Sequence, residues 1–104
     1  MENPTTIWKF PMIVADVTRV SMPMGSRVLT VGLQGPRNDL VAWATVNPIA
    51  PTESREFLVR GTGHPLDGNE GRYIGTVFPG SLVFHIFEAK NDAGAGNDGP
   101  ERNS

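Results

Sequence analysis

The chain of 104 residues contains no cysteine. That absence excludes a disulfide framework and any zinc site built on thiolates. A long apolar run is missing too: nothing approaches the roughly 18 consecutive apolar residues of a membrane-spanning helix. No basic segment followed by an apolar stretch opens the chain, so no export signal is read and a cytoplasmic location is expected. Lysine is scarce, with Lys9 and Lys90 alone; every other basic residue is arginine. The net charge is -2 and both signs are scattered, which leaves no basic stripe to neutralise a phosphate backbone. General nucleic-acid binding is therefore not expected. The arginine bias hints at planar contacts to carboxylates or other anions. Helical periodicity is absent as well. No segment keeps a period of 3.6 beyond two turns, and the 12 glycines and 9 prolines interrupt most windows of helical length.

Between these breaks lie short runs rich in β-branched and aromatic residues, the pattern of an all-β protein. Ile7 to Phe10 is a first strand, with Trp8 and Phe10 on one face and Pro11 ending it; Met12 to Val14 continues in the same direction. Val17 to Met22 follows, and Pro23-Met24-Gly25-Ser26 is a turn. Arg27 to Gln34 alternates clearly: Leu29, Val31 and Leu33 share one face, and Val28, Thr30 and Gly32 the other. Gly35 to Asp39 is a hairpin loop, so Leu40 to Val46 returns antiparallel. Its Val41, Trp43 and Thr45 oppose a face of Leu40, Ala42, Ala44 and Val46, whose small alanines leave room for a neighbour. Asn47 to Ser54 reads as a loop with a helical turn at Pro51 to Ser54. Arg55 to Arg60 is a strand with Phe57 and Val59 inward; Arg72 to Phe78 and Ser81 to Glu88 complete the set. The last is apolar on both faces, as a central strand or a strand with one face in an oligomer interface would be. About six or seven short, mainly antiparallel strands fit a small sandwich or a partly open barrel.

The segment Ala89 to Ser104, AKNDAGAGNDGPERNS, has no aromatic or large aliphatic side chain. It cannot bury enough surface to offset its ordering entropy, and is expected to be a disordered tail behind a compact domain of residues 1–88. A domain of roughly 80 residues buries only about 60–65% of its unfolded surface, a thin margin that self-association would widen.

The densest cluster of unusual residues is Arg60-Gly61-Thr62-Gly63-His64-Pro65. Glycine-flanked amides can form a concave nest for an anion. Thr62 would add a hydroxyl, and Arg60, His64 and Arg72 would add charge. Tyr73, beside Arg72, can reach a surface and stack on a ligand or anchor a partner. These seven residues, Arg60, Gly61, Thr62, Gly63, His64, Arg72 and Tyr73, form the candidate ligand site. A plainer reading makes the cluster a strand-ending turn, with a glycine at positive φ, Pro65 fixing the exit and His64 bonded to a backbone carbonyl. No GKS or GKT and no helix follow, so it is not a Walker loop. His64 and His85 with Asp67 or Glu88 could ligate a metal, but no HxH or HExxH fixes their spacing, and no metal site is assigned. Serines near turns do not form a nucleophile elbow. No catalytic residue and no cofactor are expected.

The segments Ile7 to Pro11, Met22 to Gly25, Trp43-Ala44, Gly61 to Pro65, Tyr73 to Thr76 and Leu82 to Glu88 occur in this order. Together they resemble a family of small uncharacterised proteins found in phage and prophage genomes, over about Ile7 to Glu88. The GTGHP and LVFHIFE segments carry most of that resemblance. It implies a phage origin and brings no activity or catalytic residues. With the exclusions above, the expected role is a non-catalytic accessory protein. It would act in the host cytoplasm and bind a host protein or a small anionic ligand. The alternatives are a minor virion or assembly component, packed in a symmetric array, and a nucleotide-binding or nucleotide-cleaving protein using the GTGHP loop.

Overall fold

The computed structural model describes residues 5–90. Residues 1–4 and 91–104, the latter being most of the expected tail, lie outside the described residues. Seven strands and no helix occur among those described: β1 (Thr6–Pro11), β2 (Val17–Pro23), β3 (Arg27–Gln34), β4 (Asp39–Val46), β5 (Thr52–Gly61), β6 (Arg72–Val77) and β7 (Phe84–Glu88). They form two antiparallel sheets, ordered β1-β4-β3 and β2-β5-β7-β6. No hydrogen-bonded ladder joins the sheets, so the molecule is a sandwich and not a closed barrel.

Alternation explains which side chains meet between the sheets. From the three-stranded sheet come Val28, Val31, Leu40, Ala42, Ala44 and Val46; from the other come Val20, Met22, Phe57, Val59, Val77 and Ile86. Phe57, Met22 and Ile86 are fully buried. Ala44 and Ala42 pair across the ladder with Trp8 and Phe10, so the small residues of β4 make room for the two rings of the edge strand. Those rings lie 6.4 Å apart. β7 is a central strand of its sheet, in keeping with its apolar character on both faces.

Three expectations are corrected. Leu29 does not share the face of Val31 and Leu33: the β3–β4 register skips it between Val28 and Thr30, a bulge that turns Val28 inward with Val31 and leaves Leu29 45% exposed. Strand β5 starts at Thr52, where a loop and helical turn were expected, because Thr52 to Ser54 pair with Pro23 to Ser21 of β2. Strand β7 starts at Phe84 and not Ser81, since Leu82 closes a turn onto the Pro79 carbonyl at 3.1 Å. The bulge has a measurable consequence. Leu29→Ala is expected to cost under about 0.5 kcal/mol, as surface positions do. Val28→Ala, losing two buried methyl groups at 1% exposure, is expected to cost on the order of 1.5 kcal/mol in chemical denaturation.

The sheets come closest where β3 packs on β6. β6 carries its own bulge, between Tyr73 and Gly75. A Cβ on Gly75 would sit 3.1 Å from Val31 Cγ2, so the missing side chain permits the approach. The Val28 carbonyl, at the β3 bulge, accepts a hydrogen bond from Arg72 Nη2 at 3.0 Å. At the far end of β7, the Ala89 amide donates to the Glu56 carbonyl at 2.9 Å, so pairing with β5 runs one residue past Glu88.

Candidate functional site

Strand β5 ends in a tight turn. The His64 amide donates to the Gly61 carbonyl at 3.1 Å, and Gly63 takes the left-handed backbone that such a turn requires at its third position, φ 90°. The imidazole then folds back, and the Gly61 amide donates to its Nδ1 at 3.2 Å. His64 thus accepts from a backbone amide instead of donating to a carbonyl. Two of the loop's amides are consumed within the turn, which leaves Thr62 and Gly63 to any anion.

The Thr62 hydroxyl turns to the outer face of the four-stranded sheet. There Arg60, His85 and Thr76 are cross-strand neighbours. Thr62 Oγ1 lies 2.7 Å from His85 Nε2, Thr76 Oγ1 lies 2.9 Å from His85 Nδ1, and the Tyr73 hydroxyl bonds Thr76 Oγ1. The next row holds Leu58, Phe87 and Tyr73, with the Phe87 and Tyr73 rings edge-to-face at 5.7 Å. A hollow of about 190 Å³ lies among Gly61 to His64, Leu66, His85 and Phe87. His85 and Thr76 therefore join the expected cluster, although nothing in their sequence spacing ties them to Thr62.

Arg60 is already committed. Its Nη1 donates to the carbonyls of Asp16 and Val59, both at 3.1 Å, and its Nε lies 3.9 Å from the Glu70 carboxylate. Glu70 in turn is buried and accepts from the amides of Asp67 at 2.9 Å and Gly68 at 3.1 Å. The guanidinium fastens the β1–β2 loop and the 67–70 turn to the end of β5. Within that turn the Asn69 amide donates to Asp67 Oδ1 at 2.8 Å. This bond is the main reason the Asp67 carboxyl is held below its ordinary value, with the Glu70 contact and the Arg60 charge adding to it. A depressed folded value means that the turn gains stability above the unfolded value and loses it as pH falls through the folded one. Carbon-detected NMR titration should find the Asp67 midpoint below that of the unfolded chain; a midpoint at or above it would show that the turn does not favour the charged form.

Arg72 does not join this cluster. Successive residues of a strand point to opposite faces, and Arg72 lies on the inner face while Tyr73 lies on the outer one. At the end of the sandwich away from the GTGHP loop, Arg72 meets a group that the sequence reading missed. Glu53, Arg55 and Glu88 also lie on the inner face there. Arg55 binds Glu88 Oε2 through Nε at 2.8 Å and Nη2 at 2.6 Å, and Glu53 Oε2 through Nη1 at 3.2 Å. Arg72 Nη2 lies 3.5 Å from Glu88 Oε1. A signal for this existed. Glu53 and Arg55 run in phase with Phe57 and Val59, and Glu88 in phase with Phe84 and Ile86, so each strand's core stripe ends in charge.

The GTGHP end has a different character. Three neighbouring connections there carry exposed apolar side chains: Ile13 and Val14 between β1 and β2, Leu66 after the turn, and Phe78 and Leu82 between β6 and β7. Their adjacency follows from the Asp16 carbonyl accepting from the Val59 amide, and from the pairing of Gly61 with Phe84 and of Phe84 with Val77. Phe78, read as the last residue of a strand, lies beyond β6 and is 65% exposed, more than Trp8 or Tyr73. Among the described residues, no three His, Asp or Glu side chains converge as a metal-binding group, and no helix is long and apolar enough to cross a membrane.

These features define a seven-stranded antiparallel sandwich with a charged cluster on the inner face at one end, exposed apolar side chains on the connections of the other, and a hydroxyl–imidazole chain on its larger sheet. The chain belongs to the family described as domain of unknown function DUF7352, whose model matches residues 3–97. Comparison with curated proteins finds no match, and comparison with solved structures finds none.

Proposed function

We propose that this is a non-catalytic accessory protein of phage origin that acts in the host cytoplasm by capturing a host protein at the GTGHP end of the sandwich. The observation that carries this reading is the apolar character of that end. Ile13, Phe78, Leu66 and Leu82 are 75%, 65%, 56% and 56% exposed on three adjacent connections. Exposed apolar side chains set among polar groups are what a protein interface uses. The His85 chain is consistent with recognition in place of catalysis. Its imidazole lies between two hydroxyls, with neither a carboxylate nor an uncommitted arginine bonded to it among the described residues. The same commitment of Arg60 argues against a small anion or nucleotide as the ligand of this loop.

Affinity capture from infected cells tests the proposal with the intact protein and with the Ile13→Ser/Phe78→Ser/Leu82→Ser variant. The expected result is a host protein retained by the first and lost by the second, at unchanged thermal midpoint. Retention by both would remove this end from the interface. Recovery of the protein in purified virions, with no host partner, would replace the reading with an assembly role.

A further inference from the structure

We infer that the charged end of the sandwich, opposite the proposed partner surface, is a binding site for a small oxyanion, a carboxylate or phosphate group presented by a metabolite-sized ligand. A cleft of about 470 Å³ opens there, lined by Ser26, Glu53, Arg55, Arg72, Glu88 and Lys90 among others. That volume is within the range of small-molecule sites. The inner face of a sandwich is ordinarily apolar to its ends. Here it terminates in two arginines and two glutamates, which the fold does not require for its core.

The division of labour among these charges points to the ligand. Arg55 is spent on Glu88 and Glu53, and its side chain is only 12% exposed. Arg72 is held from behind. Its Nη2 is fixed by the Val28 carbonyl at 3.0 Å and touches Glu88 only at 3.5 Å. Nε and Nη1 have no protein partner among the described residues, and the side chain is 53% exposed. A guanidinium anchored through Nη2 is held in place while its Nε and Nη1 hydrogens remain free to donate charge-assisted bonds to a carboxylate or phosphate. Lys90, which follows the last strand, adds a compact charge with no ion-pair partner among the described residues. With Lys90, cationic side chains outnumber anionic ones in the cleft lining, in a chain whose overall charge is negative. The bulge at Val28 is what makes this possible, because it places a backbone carbonyl against the arginine across the gap between the sheets.

Amide NMR of the intact chain tests this, with inorganic phosphate and succinate titrated separately and ionic strength held constant with sodium chloride. Saturable shifts are expected at Gly25, Ser26, Arg72, Ala89 and Lys90 and not at Gly61 to His64. Saturation by phosphate alone, succinate alone or both assigns the ligand's head group. Arg72→Gln is expected to weaken binding about tenfold, the loss of a charge-assisted contact. Lys90→Gln, at an exposed position outside the strands, weakens it less and keeps the test valid if the arginine variant unfolds. Shifts that rise linearly, that chloride alone reproduces, or that persist unchanged in Lys90→Gln and Arg72→Gln would overturn the site. None of these results bears on host-protein capture at the other end.

Discussion

Replacing Gly71 with alanine should be among the most damaging single changes in this domain. Gly71 enters β6 with φ 97°, a backbone region that costs a side-chain-bearing residue on the order of 1–3 kcal/mol. The added Cβ would also fall 2.1 Å from the Glu88 carbonyl oxygen and 2.9 Å from Ala89 Cα. Both obstacles are backbone, which cannot swing aside as a long side chain can. Relief requires β6 and β7 to part at the point where Arg72 pairs with Glu88. Such overpacking costs a further 1–3 kcal/mol, for a total of about 4 kcal/mol. A domain of this length has only about 4–13 kcal/mol of stability to lose. Urea denaturation is the direct measurement. The thermal midpoint should fall by roughly 15–30 °C, and a loss below about 1 kcal/mol would mean that the β6–β7 junction is far more pliable than its geometry implies.

Arg55→Ala is the second large effect. Its guanidinium neutralises two carboxylates that lie on the same inner face, and the Arg55 and Glu88 side chains are only 12% and 11% exposed. Removing the cation leaves Glu88 largely out of water with a single, longer contact to Arg72. Breaking a buried pair from one side costs about 3 kcal/mol, because the surviving charge keeps its desolvation penalty without its partner. The pair itself need not add net stability. Arg55→Met combined with Glu88→Leu should therefore cost much less than the sum of its single changes, by more than about 1 kcal/mol in a double-mutant cycle. Additive losses would show that the two side chains do not act as a unit.

Much of the architecture is legible in the sequence because β structure has a period of two, and period two can be read locally. The alternation in Leu40 to Val46 separated the two faces of β4, of which the structure buries that of Leu40, Ala42, Ala44 and Val46, and Phe57 with Val59 marked the inward face of β5. Where the reading failed, the period itself was interrupted. One extra residue at the β3 bulge exchanged Leu29 for Val28 in the core, and no local pattern marks a bulge that only the partner strand defines. Phe78 shows the converse limit. Its hydrophobicity promised burial, but it falls beyond the last paired residue of β6, where no opposing sheet covers it.

The candidate sites divide along the same line. Arg60, the GTGHP turn and Tyr73 could be gathered from sequence because they are near one another along the chain and lie on one face. Adjacent positions on a strand nonetheless point to opposite sides, so Arg72 parted from Tyr73 and joined Glu88. His85 could not be assigned to Thr62, nor Arg55 to Glu88, without knowing that β7 lies between β5 and β6. The chain on its own determined the all-β class, the positions of most strands along it, the alternation of faces within its regular strands and the absence of thiol chemistry, since these depend on composition and short-range periodicity. Only the tertiary structure decided which charges meet, which apolar residues remain uncovered and where the two sheets touch. Those are properties of strand order and register, set by interactions among residues far apart in the chain.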